Sequence, residues 1–141
     1  MGEIRAKMTW TGGLRFEGDT EFGQKIATDA GFKAGGNQDG YKPTQLLLFG
    51  IAGCTGIDIM RILKKQRQEV TSMEIELIGH HQEEYPKPIH TVEVKYTFAG
   101  KDLNPKKIQQ AIDLSNDKYC MVGQTVENPG KVVTSFEIRP D

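Results

Sequence analysis

Pro43-Thr44-Gln45-Leu46-Leu47-Leu48-Phe49-Gly50-Ile51-Ala52-Gly53-Cys54-Thr55-Gly56-Ile57-Asp58-Ile59-Met60, running on into Arg61-Ile62-Leu63-Lys64-Lys65-Gln66-Arg67, is the stretch that decides the fold. Proline is tolerated at the first helical position, so Pro43 opens a helix expected to reach about Arg67. The first half is apolar on every side. That predicts a helix buried all round, by a sheet on one side and another element on the other. From Arg61 onward the segment is charged and should emerge into solvent, with Lys64, Lys65 and Arg67 suited to the negative end of the helix dipole. Gly50, Gly53 and Gly56 each weaken a helix by about 1 kcal/mol relative to alanine. Their regular spacing suits the close approach of another backbone. Cys54 lies inside the apolar half, on the face it shares with Gly50 and Asp58. The glycines leave open space beside its sulfur, for a small substrate or a second sulfur.

Working outward, strands flank this helix. Glu3 to Trp10 alternates, with Ile4, Ala6, Met8 and Trp10 set against Arg5, Lys7 and Thr9. Thr11-Gly12-Gly13 is a turn, and Leu14 to Gly18 returns as the second arm of a hairpin. Phe22 to Thr28 reads as a third strand. Asp29 to Lys42, with Gly31, Gly35, Gly36, Asn37, Asp39 and Gly40 and too few apolar residues to pack, reads as a mobile loop and a candidate lid. After the helix, Thr71–Glu84 and His90–Phe98 alternate on either side of Tyr85-Pro86-Lys87-Pro88 and predict a long antiparallel hairpin. Asn104-Pro105 has the form of an N-cap and first helical residue. Ile108, Ala111, Ile112 and Ser115 form the stripe of a second helix reaching about Asp117. Tyr119 to Thr125 is a short apolar run around Cys120. Val132, Thr134, Phe136 and Ile138 are expected to form a closing strand. The sum is a single α+β domain with antiparallel strands packed on one dominant helix.

The chain has 141 residues, 18 of them basic and 19 acidic. That length can bury a core, and the charge balance, with no basic aromatic-laced run, argues against a nucleic-acid partner. No apolar leader opens the chain, so a cytoplasmic protein is expected. The longest unbroken apolar run, Leu46 to Ala52, is too short to span a bilayer. His80 and His81 are adjacent on a strand and point to opposite faces. With His90, Glu83 and Glu84 they make no usual ligand set, so a solvated hairpin is expected and no metal.

Two cysteines are too few for a disulfide scaffold. Either they are small buried hydrophobes, or they work together, and only the fold can bring them together. Lys118, two residues before Cys120, is placed to favour a thiolate. Asp58 would raise a nearby thiol's pKa, so it reads as structural, an ion-pair partner for Arg61 or Arg67.

Taken jointly, these segments resemble the OsmC/Ohr family across nearly the whole chain. The likeness is carried by Pro43-Thr44-Gln45-Leu46-Leu47-Leu48, Ala52-Gly53-Cys54-Thr55 with Asp58, and Ile62-Leu63-Lys64-Lys65. It extends to Asp113-Leu114-Ser115 with Lys118-Tyr119-Cys120, to the opening Trp10-Thr11-Gly12-Gly13 with Phe16 and Gly18, and to the hairpin with Glu83-Glu84 and Pro86. The resemblance implies an intertwined homodimer, with residues 1–42 exchanged between subunits and two sites at the interface. It also implies thiol peroxidase chemistry on organic hydroperoxides. Cys54 would attack, Cys120 would resolve, and a thiol reductant such as a lipoylated protein would reset the pair, with no metal or organic cofactor. The family's thiolate-stabilising arginine corresponds to Arg15, or to Arg5. The glutamate that orients it in many peroxidase members is replaced by Gln45, which hydrogen-bonds but carries no charge. That departure resembles a separate branch of the family. The alternative it opens is a non-enzymatic small-molecule-binding or redox-sensing dimer.

Overall fold

A computed structural model describes residues 2–140. In chain order it contains β1 (Lys7–Trp10), β2 (Phe16–Asp19), β3 (Lys25–Thr28), a 3₁₀ turn (Phe32–Ala34), α1 (Pro43–Lys65), β4 (Glu69–His81) and β5 (Ile89–Lys101). These are followed by α2 (Pro105–Leu114), a π-helical turn (Ser115–Tyr119) and α3 (Met121–Glu127). The chain forms two compact units. One comprises the N-terminal residues through Gly50 with Gly79–Val92, the other Ile51–Ile78 with Glu93 onward.

In the first unit β1, β2 and β3 make an antiparallel meander, with Trp10 opposite Phe16 and Phe16 opposite Thr28. Gly18 sits where a Cβ would run into Met8 Sδ at 2.5 Å and the Lys7 carbonyl at 3.0 Å, so a side chain there would force the strands apart. The sheet is shorter than the alternation predicted. Pairing begins at Lys7, and all four β1 residues are exposed. The alternation supplies an apolar face, but the described residues leave it uncovered.

The loop expected to be loose is instead wrapped around one carboxylate. Asp29 is buried, and its oxygens accept the backbone N–H groups of Ala30 (2.8 Å), Asn37 (3.1 Å) and Asp39 (3.1 Å). These bonds to the charged form hold its pKa below the usual carboxylate value, the Asp39 N–H contributing most. A parallel bridge between Thr28 and Tyr41 closes the base of the loop. Tyr41 then meets Phe49 edge-on, ring centroids 5.7 Å apart.

The second unit holds the core. Ile59, Leu63 and Ala111 are fully buried, and Ile62, Val70, Met73, Tyr96, Phe98, Ile108 and Ile112 pack against them. The β4 and β5 alternation is as expected, with Met73, Ile75, Leu77, Val94, Tyr96 and Phe98 on the shielded positions. α2 begins as the sequence indicates: Asn104 Oδ1 accepts the Lys106 N–H at 2.9 Å, and Pro105 is the first helical residue.

Two expectations fail. α1 is not buried all round within one chain. Its buried residues are Ile51, Thr55, Ile59 and Leu63, a stripe at four-residue spacing, whereas Phe49 and Ile57 remain 55% and 60% exposed. The helix has 23 residues, its most apolar 18-residue window has a mean hydropathy of 1.8, and it is long and apolar enough to cross a membrane. The sequence reading missed this by counting only unbroken apolar runs. Core helices share that composition, and the buried stripe of α1 packs as theirs do. Nor does the closing strand form among the described residues. Positions 131–140 are irregular, with Val132 90% and Phe136 88% exposed. A period-two pattern becomes a strand only where an edge accepts it, and none of the described strands pairs with this segment.

Leu63→Ala should lower stability by about 3 kcal/mol, because it removes buried methyl groups and leaves a cavity between α1 and α2. Urea unfolding followed by circular dichroism measures this.

Candidate functional site: a thiol pair between helices

α1 presents Cys54 half-buried, one residue before fully buried Thr55 and one turn before Asp58. The second sulfur arrives by a different route. α2 ends at Leu114, and the chain widens into the π-helical turn, closed by the Cys120 N–H donating to the Ser115 carbonyl at 2.8 Å. Cys120 then turns extended and becomes the N-cap of α3, its Sγ accepting the Gly123 N–H at 3.2 Å. The sequence reading gave no helix here, because a cysteine is not among the usual caps. A Cβ on residue 123 would lie 3.3 Å from the Cys120 sulfur, so the missing side chain there lets the thiol seat against the helix.

The two cysteine side chains are close enough to act on each other electrostatically, and both are free thiols. Cys120 is 1% exposed. Burial pushes its thiol up from 9.0 to about 11, the Gly123 N–H opposes this, and the neighbouring Cys54 and the charge on Asp58 add to it. Cys120 is therefore the neutral member of the pair. Lys118 does not favour a Cys120 thiolate as expected. Its ammonium sits 5.2 Å over the Tyr119 ring, and the surroundings of the sulfur move the proton the other way.

Polar groups surround the pair. The Tyr96 phenol is pushed up by burial, which the neighbouring Thr55 opposes and the charge of Cys120 reinforces. Ser115, fully buried, donates its hydroxyl to Asp58 Oδ2 at 3.0 Å. Asp58 was expected to pair with Arg61 or Arg67; the partner that holds it is a serine on another helix. Ser115 and Tyr96 were not singled out in the sequence. A signal existed for the serine, which ends the apolar stripe Ile108, Ala111, Ile112, where a hydroxyl must find a partner or lose free energy.

Arg15 and Gln45 belong to the first unit. The Arg15 guanidinium donates to Glu17 Oε1 at 2.8 Å, lies 3.2 Å from Asp39 Oδ2, and also donates to the Asp39 carbonyl at 3.0 Å. The bond to Glu17 raises its pKa further. Gln45 Oε1 accepts the Lys42 N–H at 3.2 Å, a reach back to the helix start. Arg5 pairs with Glu3 in solvent. His81 and His90 bond to Gln82 and Thr91 beside them. Among the described residues no three His, Cys, Asp or Glu side chains converge as metal ligands would.

An α+β chain whose main helix and a helix-capping turn bring two thiols together defines a two-cysteine class of protein. The sequence matches the OsmC-like protein family over residues 35–135, and the chain belongs to that family. It is similar to Protein YhfA of Escherichia coli strain K12, 31% identical over 137 residues, 96% of this chain and 98% of that protein. A solved hypothetical protein from Aquifex aeolicus VF5 superposes with a TM-score of 0.79 at 34% identity, covering 92% of this chain and 90% of that one. The Organic Hydroperoxide Resistance Protein OhrB of Bacillus subtilis superposes with a TM-score of 0.58 at 23% identity, over 89% of this chain and 93% of that one, a likeness of fold.

Because the folded pKa of Cys120 is raised, the unfolded chain loses this proton first. Stability from the buried thiol is intact below the ordinary thiol value and declines as pH rises towards about 11. In Cys54→Ser, the alkylation rate of Cys120 should keep climbing about tenfold per pH unit past pH 9. A free thiol levels off near its own pKa of about 8.5.

Proposed function

We propose that this protein is a thiol-dependent redox enzyme that reduces organic hydroperoxides through Cys54 and Cys120. The observation that carries this reading is the convergence of the two thiols from separate helices, with buried Cys120 held neutral beside a half-exposed Cys54. The Cys54 thiolate attacks the O–O bond. The bond breaks, the leaving alkoxide takes a proton from water and departs as the alcohol, and Cys54 becomes a sulfenic acid. Cys120 then attacks that sulfur; the S–S bond forms as the S–O bond breaks, and the thiol proton leaves with the hydroxyl as water. A dithiol reductant, of which a lipoylated protein is one kind, takes the oxidation by exchange and restores both thiols. Ranking the attacker as Cys54 follows from exposure: a peroxide reaches it before it reaches a sulfur that is 1% exposed.

In this reading Arg15 is the cation that favours the Cys54 thiolate, with Arg5 as the other candidate, and Gln45 stands at the position of the orienting acid. The protein works in the cytoplasm as a homodimer. Exposed Phe49 and Ile57 on α1, the uncovered β1 face and the apolar 131–140 segment are surfaces that a second copy would cover, with residues 1–42 exchanged. One observation favours a second reading, a non-enzymatic small-molecule-binding or redox-sensing dimer. The Arg15 charge is already balanced by Glu17 and Asp39, and Gln45 is occupied with Lys42.

Rapid mixing of the reduced protein with cumene hydroperoxide should oxidise Cys54 at least a hundredfold faster than a free thiol at the same pH. A rate equal to the free thiol's would end the enzyme reading. Arg15→Met should slow that first step tenfold or more, and an unchanged rate would remove Arg15 from the site.

A further inference from the structure

The fully buried Ser115 is bonded at every polar group that the turn around Cys120 uses. Its N–H donates to the Ala111 and Ile112 carbonyls at the end of α2, and its carbonyl accepts the Cys120 N–H at 2.8 Å. Its hydroxyl crosses to Asp58 Oδ2 at 3.0 Å. Asp58 lies one helical turn beyond Cys54 on the same face of α1. A short path therefore runs from the turn of α1 that carries Cys54, through the Asp58 carboxylate and the Ser115 hydroxyl, to the backbone that carries Cys120. The path lies within one compact unit and beside the two sulfurs. It also ends on a π-helical turn, a wide, rare geometry found mostly as single turns and often at functional sites. Such a turn aims its last residue differently from an α-helix, and something must hold it there.

We propose that Asp58, acting through Ser115, is the positioning residue that sets Cys120 for closure of the disulfide with Cys54. This rests on the reading that the two cysteines form that bond. Disulfide geometry is narrow, and a displacement of about 1 Å between the two Cβ atoms stores strain or prevents closure. Without the hydroxyl–carboxylate bond, only the backbone of the π-helical turn aims Cys120, and the effective concentration of one thiol towards the other falls. The carboxylate charge has a second effect that opposes the first: it helps keep Cys120 protonated, and the thiolate is the attacking form, so Ser115→Ala, which leaves that charge in place, isolates the positioning effect.

Two readouts on Ser115→Ala and Asp58→Ala test this. Equilibration of the reduced protein with oxidised and reduced glutathione gives the effective concentration of the thiol pair. In that exchange the Cys54–Cys120 bond forms as glutathione disulfide is reduced to two thiols. Each variant should lower that concentration about tenfold. The double variant should be no worse than either single one, because both break the same bond. Quenched-flow with cumene hydroperoxide, the sulfenic acid being trapped with dimedone, should show disulfide closure slowed about tenfold relative to sulfenic acid formation. Asp58→Asn, which keeps an acceptor for the serine, should restore most of the glutathione value. Unchanged effective concentrations in the single variants would overturn the proposal. So would a lowered urea midpoint with no change in the thiol readouts. A chain inert to peroxide would sink the enzyme reading alone, since the glutathione equilibrium reports positioning without it.

Discussion

The arrangement rests on one constraint, a helix that must bury a stripe of residues spaced by four. Ile51, Thr55, Ile59 and Leu63 lie along one face of α1, and the last two form the core with Ala111 of α2. Residues at that spacing sit nearly above one another, so burying them fixes the rotation of the helix. Cys54 and Asp58, each one position before a buried member of the stripe, are thereby set at its border, half in and half out. The same packing fixes α2, and so the place where its final turn delivers Ser115 and Cys120. The thiol pair is thus a product of core packing rather than of a local motif.

Much of this was legible in the sequence. Pro43, Asn104-Pro105 and the alternation through β4 and β5 state their elements with local chemistry, and the helix and hairpin formed where these signals stood. The failures share a cause. Apolar alternation at the N-terminus, the all-round apolar surface of α1 and the 131–140 pattern each promise burial without saying against what. Within one chain, β1, Phe49, Ile57 and Phe136 lie open. Pattern specifies a face; only a partner surface specifies its burial.

At the site, the sequence named the cysteines but not their support. The importance of Cys54 could be read from its glycine-rich, apolar surroundings. Ser115 showed only that its hydroxyl needed a partner, because which partner depends on meeting Asp58 from a distant part of the chain. Lys118 misled for the complementary reason. Proximity in sequence suggested a charge for Cys120, while burial at 1% exposure decides its state against the opposing N–H of Gly123. The loop around Asp29 shows the same effect. Glycine and polar content suggested slack, yet one buried carboxylate gathering N–H groups from three residues gives the segment a defined shape.

The capping of α3 by a thiol joins redox state to secondary structure. Cys120 Sγ is the acceptor that satisfies Gly123 at the start of a helix only 7 residues long, and so short a helix has little stability of its own. The sulfur that caps it is the sulfur that would enter a disulfide. Any stabilisation that the cap lends the reduced form is a free-energy difference the oxidised form must match or forgo. By linkage, whatever binds and orders α3 with its thiol cap intact would favour the dithiol, and whatever frays α3 would favour oxidation. A surface helix distant in sequence from Cys54 is in this sense a handle on the electron balance of the pair.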